Sequence, residues 1–307
     1  MERLGAEVPE SVRHLVARQH ERLQPEEQHV LEAASVTGVE FSVAAIAAAL
    51  ETGVVAIGDR CARLSERQQF LRPAGVAEWP DGTVAARYGF THALYQHLWS
   101  ERVSIEQQQQ WHLRVGERKE AAYGKRAGEI AAELAVHFEQ GRDYHRAIRY
   151  LQQAGENALR RSANVEAISH LTKGLELLPT LPDTTERARQ ELGLRVTLTA
   201  PLVATKGLAA AEVGDSHNRA RELCQRIGET PELFPVLWGL YAFYVGRAEF
   251  ETVRMLGEQL LRLAQRAQDP ALLLQAHLAL GSAVFYRGKF ASAREHLEQG
   301  ISFYAPR

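Results

Sequence analysis

The feature that most constrains this chain is a fixed spacing of small residues inside helical patterns. In "RAIRYLQQAGENALRRSANVEAISHLTKGLELLP", Gly155 is followed twelve residues later by Ala167, and then by Gly174 and Pro179. Near the C-terminus, "QAHLALGSAVFYRGKFASAREHLEQG" repeats the offset, with Gly281, Ala293 twelve residues on, and then Gly300. Glycine inside a helix costs about 0.5–1 kcal/mol relative to alanine, so its recurrence at a set offset needs a cause. Close crossing supplies one. Helices whose axes pass at roughly 8–10 Å need a side chain removed where the backbones approach. Leu171 and Leu297, each four residues past the alanine, are placed to fill the groove beside that crossing. A chain written this way stacks helix pairs.

The offsets match the tetratricopeptide pattern, whose period is 34 residues. With Ile148 as position 1, Gly155, Ala158, Ala167, Leu171, Gly174 and Pro179 fall at positions 8, 11, 20, 24, 27 and 32. The second frame gives Gly281, Val284, Ala293, Leu297 and Gly300. Two weaker units lie between, opening at Gly193 and Gly239. The first is expected to reach its second helix (Ala220, Cys224, Ile227) after a long insertion around "APLVATKGLAAAEVGD"; the other carries Val253 and Leu260. The small positions Gly155, Gly193, Gly239 and Gly281 are separated by 38, 46 and 42 residues, longer than the standard period. Helices 143–161 and 164–178 form the first full pair, which leaves a helix near 127–140 unpaired as a joint.

Upstream the pattern changes. "PESVRHLVARQHERL" and "PEEQHVLEAASVTG" each open with proline, suited to a first helical turn, and the second ends on Gly38. Two short helices follow, "SVAAIAAAL" and "VVAIGDRCARLSER". Then "QQFLRPAGVAEWPDGTVAARYGF" alternates on both sides of "WPDG", a hairpin signal, before the helix "THALYQHLWSERV". A helical cluster followed by a two-stranded wing describes a winged helix. The expected organisation is a winged-helix-like unit over 1–104, a helical linker over 105–142 and tetratricopeptide-like repeats over 143–307. The fold class is mainly all-α, with one small β-hairpin and an α-solenoid.

Bulk properties exclude several functions. Formal net charge is −2, so no global field draws the chain to nucleic acid or anionic lipid. The two cysteines, Cys61 and Cys224, sit in helical patterns and read as incidental thiols of a reduced, cytoplasmic protein. There is no apolar run of membrane-spanning length, and "MERLGAEVPE" is too polar for a leader. The helix "VVAIGDRCARLSERQQ" carries Arg60, Arg63 and Arg67 against Asp59 and Glu66. That is about three phosphate contacts where strong DNA binders make roughly 6–10. DNA binding is not expected.

The string "RSANVEAISHLTKGLELLPTLPDTTERARQELGLRV", with "ARELCQRIGETPELFPVLWGLYAFY" and "LGEQLLRLAQRAQDPALLLQAHLALGSAVFYRGKFASAREHLEQGISFY", resembles the C-terminal half of a bacterial family of large signal-transduction ATPases with numerous domains. "VPESVRHLVARQHERLQPEEQHVLEAASVTGVEFS" and "ARYGFTHALYQHLWSERV" resemble the segment after their ATPase core. Such proteins carry a class III nucleotide cyclase or a DNA-binding effector, an AAA-like ATPase, a winged helix and tetratricopeptide repeats. The resemblance implies that this chain holds the last two parts, as a fragment or split product. ATP or ADP would then bind an upstream ATPase domain only. It also implies a role for His92 in "YGFTHAL": a winged-helix histidine in related ATPases touches the phosphates of ADP and holds the inactive state.

No catalytic constellation accompanies these features. The chain has no G-x-x-x-x-G-K-[ST], H-E-x-x-H, C-x-x-C or G-x-S-x-G. His92 and His97 are five apart, and His14 and His20 six apart, off the i,i+4 face a shared ion needs. No cofactor or metal is expected in this chain, and no enzyme activity. What remains is a regulatory and interaction module taking a protein or peptide partner in the repeat groove, and contacting the ATPase and effector domains of its parent. The alternative is a stand-alone repeat scaffold. Arg160, Arg161, Lys173 and Arg187 are the charged candidates for the groove. Trp238, Tyr241 and Val245 share one helical face and read as core.

Overall fold

The computed structural model describes residues 16, 18, 19, 21–67, 70–228 and 230–304. Most of the helix expected over 9–23, and the terminal "APR", lie outside the described residues. The chain divides into two compact units, Met1–Tyr150 and Leu151–Arg307.

The first unit opens with α1, Pro25–Thr37. Its proline takes the first helical position, and the backbone N–H of Gln24 donates to Glu27 Oε2 at 3.1 Å in a capping box. There follow β1 (Glu40–Ser42), α2 (Val43–Ala49), α3 (Val54–Glu66), β2 (Leu71–Glu78), β3 (Val84–Phe90) and α4 (Ala93–Ser100). The hairpin forms where "WPDG" places it. Trp79 N–H donates to Thr83 O at 2.9 Å, Gly82 N–H donates to Trp79 O at 2.9 Å, and Gly82 supplies the required positive φ of 85°. A bulge between Pro73 and Val76 bends β2. The sheet has three antiparallel strands in the order β1-β3-β2, where a two-stranded wing was expected. The third strand is only Glu40–Ser42, too short for alternation to reveal it.

Trp99, Phe70 and Phe90 centre the core of this unit, with the Phe70 and Trp99 rings 5.2 Å apart. α5 (Ile105–Tyr123) contributes Trp111 and Val115 to the same buried cluster. After a 3₁₀ turn, Gly124–Ile130, α6 (Ala131–Gln140) packs along α5 at Gly116, where an added Cβ would lie 3.2 Å from His137 Cβ. The helix read as unpaired near 127–140 therefore has α5 as its partner.

α7 (Tyr144–Arg160) contains the boundary between the units. Beyond it come α8 (Asn164–Leu177), α9 (Thr185–Lys206), α10 (Ala211–Ile227), α11 (Leu233–Gly246), α12 (Phe250–Ala267), α13 (Pro270–Phe285) and α14 (Phe290–Ser302). No strand occurs among the described residues of this unit, a solenoid of tetratricopeptide-like helix pairs. One expectation fails. The insertion around 200–215 is helix: α9 runs through Pro201 to Lys206, and only four residues separate it from α10. Pro201 has no N–H, which removes the helical donor to the Thr197 carbonyl. Threonine hydroxyls brace the same stretch, Thr197 Oγ1 donating to Gly193 O at 2.9 Å and Thr205 Oγ1 to Pro201 O at 2.7 Å. A proline that reads as a terminator is thus tolerated at a buried position.

Candidate interaction surface

The stacked pairs meet where side chains are missing. A Cβ on Gly155 would lie 2.7 Å from Leu171 Cγ, and one on Gly281 would lie 2.9 Å from Leu297 Cδ2. Ala158, Ala167, Leu171 and Ala293 are buried, and Pro179 closes α8 in a 3₁₀ turn. Gly174 faces the next helix, its absent Cβ 3.1 Å from Leu194 Cδ2, and Gly300 faces back to His277 Cβ at 3.3 Å. Gly193 differs: only the amide end of Gln152 comes near, at 3.4 Å.

The middle of the stack uses glycine another way. Gly239 receives the ring of His217, whose Cε1 stands 1.9 Å from where a Cβ would be. In return Gly214 receives Phe243, with Cζ at 2.5 Å. α10 and α11 therefore exchange a knob and a hole in each direction. Burial pushes the His217 imidazole down to about 4, so it packs as a neutral ring. Neither Gly214 nor Gly257, which faces Leu280 at 3.0 Å, was read from the sequence. A second unread signal is the turn. Ser162 and Gly288, each seven residues past Gly155 and Gly281, adopt φ of 57° and 74°. Arg142, seven past the buried Ala135, does the same at 59°. Ala135 to buried Ala147 is again twelve residues, so the repeat code begins one helix before the Gly155 frame.

The terminal pair leaves a groove of about 450 Å³ lined by Leu274, Leu278, Leu297, Gly300, Ile301 and Tyr304. Ile301 is 70% exposed and Tyr304 67%, large values for apolar side chains sharing one wall. Behind it His277 and His296 approach Nδ1 to Nδ1 at 3.4 Å, and Phe303 stacks on His277. At the turn between α13 and α14, Phe250 stacks on Tyr286 at 5.1 Å and Phe285 meets Phe290 edge-on at 5.5 Å. Phe285, Tyr286 and Phe290 are exposed.

The charged candidates lie elsewhere. Arg161 bridges Glu166 at 3.0 Å, Arg187 bridges Asp183 at 2.6 Å, and Arg160 bonds Asn157. These are solvated pairs of small worth. Trp238 stacks on Tyr241 at 5.5 Å within the core of α11–α13.

In the first unit His92 is the N-cap of α4, its Nδ1 accepting the Leu94 N–H at 3.0 Å. His97 pairs with Glu101 at 3.2 Å, so the two histidines serve separate contacts. On α3, Arg67 reaches the buried Glu27 at 3.4 Å. Cys61 is buried and its thiol is pushed up to about 12 by desolvation, which makes it inert. His112 and His137 meet Nδ1 to Nδ1 at 3.0 Å, and burial lowers both, to about 4 and about 3. Among the described residues, no group of three or more His, Cys, Asp or Glu could hold a metal ion. Nor is any helix among them long and apolar enough to cross a membrane.

Fold and surface together define a mainly all-α protein with tetratricopeptide-like helical repeats and a small three-stranded sheet. No protein-family model matches the chain. An uncharacterized protein of Rhizobium meliloti (strain 1021) is 24% identical over 219 residues. The match covers 71% of this chain and 21% of that protein, so the chain spans about a fifth of the relative's length. Among solved structures, BtubC (BKLC) from P. vanneervenii superposes with a TM-score of 0.50 at 14% identity, over 66% of this chain and 84% of that one. A Signal Transduction ATPase with Numerous Domains with a tetratricopeptide repeat sensor, from Pyrococcus horikoshii, gives 0.46 at 11% identity, over 97% of this chain and 53% of that one.

Proposed function

We propose that this chain is the non-catalytic regulatory and protein-interaction part of a cytoplasmic signal-transduction ATPase, whose nucleotide-binding core and effector lie on another stretch of polypeptide. The repeat unit takes a protein or peptide partner, and the winged-helix-like unit passes the change to the ATPase. The observation that carries the reading is the apolar groove on α13–α14: six lining residues, none charged, suit a helix and not a charged small substrate. The wording of the segments around Ser162 and Phe90 supports the link to an ATPase. Within it, His92 senses the phosphates of bound ADP. Its Nδ1 is engaged in the cap, so Nε2 is the nitrogen available to a ligand.

Two measurements test this. An open reading frame in register with Met1, encoding a phosphate-binding loop directly upstream, is expected; a separately expressed gene with no ATPase neighbour would leave a stand-alone scaffold. In the full-length protein, His92→Ala should weaken ADP binding in calorimetric titration and raise basal ATPase turnover. Unchanged affinity and turnover would remove the sensor role.

A further inference from the structure

We propose that the His112–His137 contact is an acid-opened latch: protonation of the pair drives α6 off α5, while the three-stranded sheet and the core beneath it stay folded. The proposal goes beyond the interaction-module reading and does not depend on it.

The geometry suits two neutral rings and no others. Nδ1 of His112 on α5 and Nδ1 of His137 on α6 stand 3.0 Å apart, so one donates and the other accepts. Two cationic rings would set N–H against N–H. The rings cannot drift apart in place, because glycine holds the helices together on both sides of them. A Cβ on Gly116 would lie 3.2 Å from both His137 Cβ and the Phe138 ring, and one on Gly141 would lie 3.1 Å from the Leu113 nitrogen. Burial opposes even a single added charge, holding His112 at about 4 and His137 at about 3.

No carboxylate pairs with either ring among the described residues. Lys119 on α5 faces His137 and opposes its proton, and Glu133 of α6 is bridged to that lysine. The acids of the neighbouring elements are engaged in the same way. Glu27 of α1 pairs with Arg67, Glu51 after α2 with Arg114, Glu129 of the 3₁₀ turn with Arg126, and Asp143 before α7 with Arg146, which also holds Glu117 and Glu120. Protons are therefore accommodated only by wetting the rings. An imidazole in water titrates near 6.5, so at pH 5 the open form gains about thirtyfold per histidine.

The element that can leave is α6. The buried cluster around Trp99 takes Trp111, Val115 and Ala122 from α5 and, among the described residues, nothing from α6. His92 and His97, on the helix that follows the hairpin, are exposed, so acid puts no charge into the sheet's core through them.

Hydrogen–deuterium exchange of the full chain at pH 7 and pH 5, read by mass spectrometry and corrected for intrinsic exchange, tests the latch. Peptides from α6 should lose protection at least about tenfold more than peptides from β2 and β3 as the pH falls. His112→Phe should reduce that difference, and His97→Ala, on the surface of α4, should leave it unchanged. Protection of α6 that keeps pace with β2 and β3, whether both are retained or both are lost, overturns the proposal. So does an undiminished response in a folded His112→Phe chain. The wild-type comparison decides by itself where that variant fails to fold.

Discussion

Replacing Gly155 by alanine should destabilise the repeat unit, although the same change in an open helix stabilises. The added methyl would sit 2.7 Å from Leu171 Cγ, 2.8 Å from Cδ2 and 3.2 Å from Cδ1. Carbon atoms rest at about 3.5–4.0 Å, so Leu171 or the backbone must give by roughly 1 Å. Leu171 is fully buried, so any shift must be taken up by its packed neighbours. Overpacking of this kind costs about 1–3 kcal/mol, while relief of glycine's helix penalty returns about 0.5–1 kcal/mol. The net is a loss of up to about 2.5 kcal/mol, or a melting point lower by up to about 10 °C for a unit of this size. Gly193→Ala is the control within the same unit. Its methyl would meet only the mobile end of Gln152 at 3.4 Å, so the propensity gain of about 0.5–1 kcal/mol should appear undiminished. Differential scanning calorimetry of the two variants reads the sign directly. In a Leu171→Ala background the steric term disappears, and Gly155→Ala should turn from harmful to neutral or helpful, a coupling of about 1–3 kcal/mol. Gly155→Ala proteins as stable as Gly193→Ala would refute the claim that this glycine exists for helix contact.

Acid should weaken the first unit well before its carboxylates protonate. His112 and His137 are neutral when folded, lowered to about 4 and about 3, against an ordinary value of 6.5 in the unfolded chain. The unfolded state therefore gains protons first as pH falls, and stability is lost between about pH 6.5 and pH 4, by up to roughly 3 kcal/mol from His112 alone. The facing charge is Lys119, which opposes protonation of His137, and the proton between the two Nδ1 atoms leaves no room for a second. Chemical denaturation at several pH values should show this slope, and His112→Phe should flatten it; a flat wild-type profile would refute the neutral pair. At the hairpin, Gly82→Ala places a Cβ at φ 85° and should cost about 1–2 kcal/mol, read as a lower melting point of the first unit; no change would mean that the turn relaxes.

Which parts of the architecture were legible follows from which residues carry the contact. At α7–α8 and α13–α14 the hole is glycine and the knob is leucine, Gly155 with Leu171 and Gly281 with Leu297, so a fixed offset exposes both members. At α10–α11 the knobs are His217 and Phe243, residue types with many other uses, so a fixed offset of small and aliphatic residues does not mark them. The Pro201 helix was misread for the opposite reason. Proline carries a strong local signal, and tertiary burial together with threonine back-bonding overrode it. β1 was hidden by length, since three residues cannot show alternation. His92 was legible as a junction residue, and the structure assigns it a cap. The groove itself could not be read at all. Leu278, Leu297 and Ile301 have the periodicity of core residues, yet each is exposed in the structure.

The glycines of the repeat frame are filled in two ways. Gly155, Gly174 and Gly281 are each occupied by a leucine from a neighbouring helix, and they hold the stack together. Gly300 belongs to the same frame but is buried against α13 itself, its missing Cβ 3.3 Å from His277 Cβ and 3.5 Å from the Leu274 carbonyl oxygen. If the frame reflected helix propensity alone, alanine would be the better residue here. If it reflects helix contact, a larger side chain must push α13 and α14 apart. Gly300→Ala should therefore return less than the propensity gain of about 0.5–1 kcal/mol expected in an open helix, because the new methyl crowds His277 at a distance tighter than ordinary carbon contact. Calorimetry beside Gly193→Ala reads the difference, and equal gains for the two variants would show that Gly300 is small for no reason of packing.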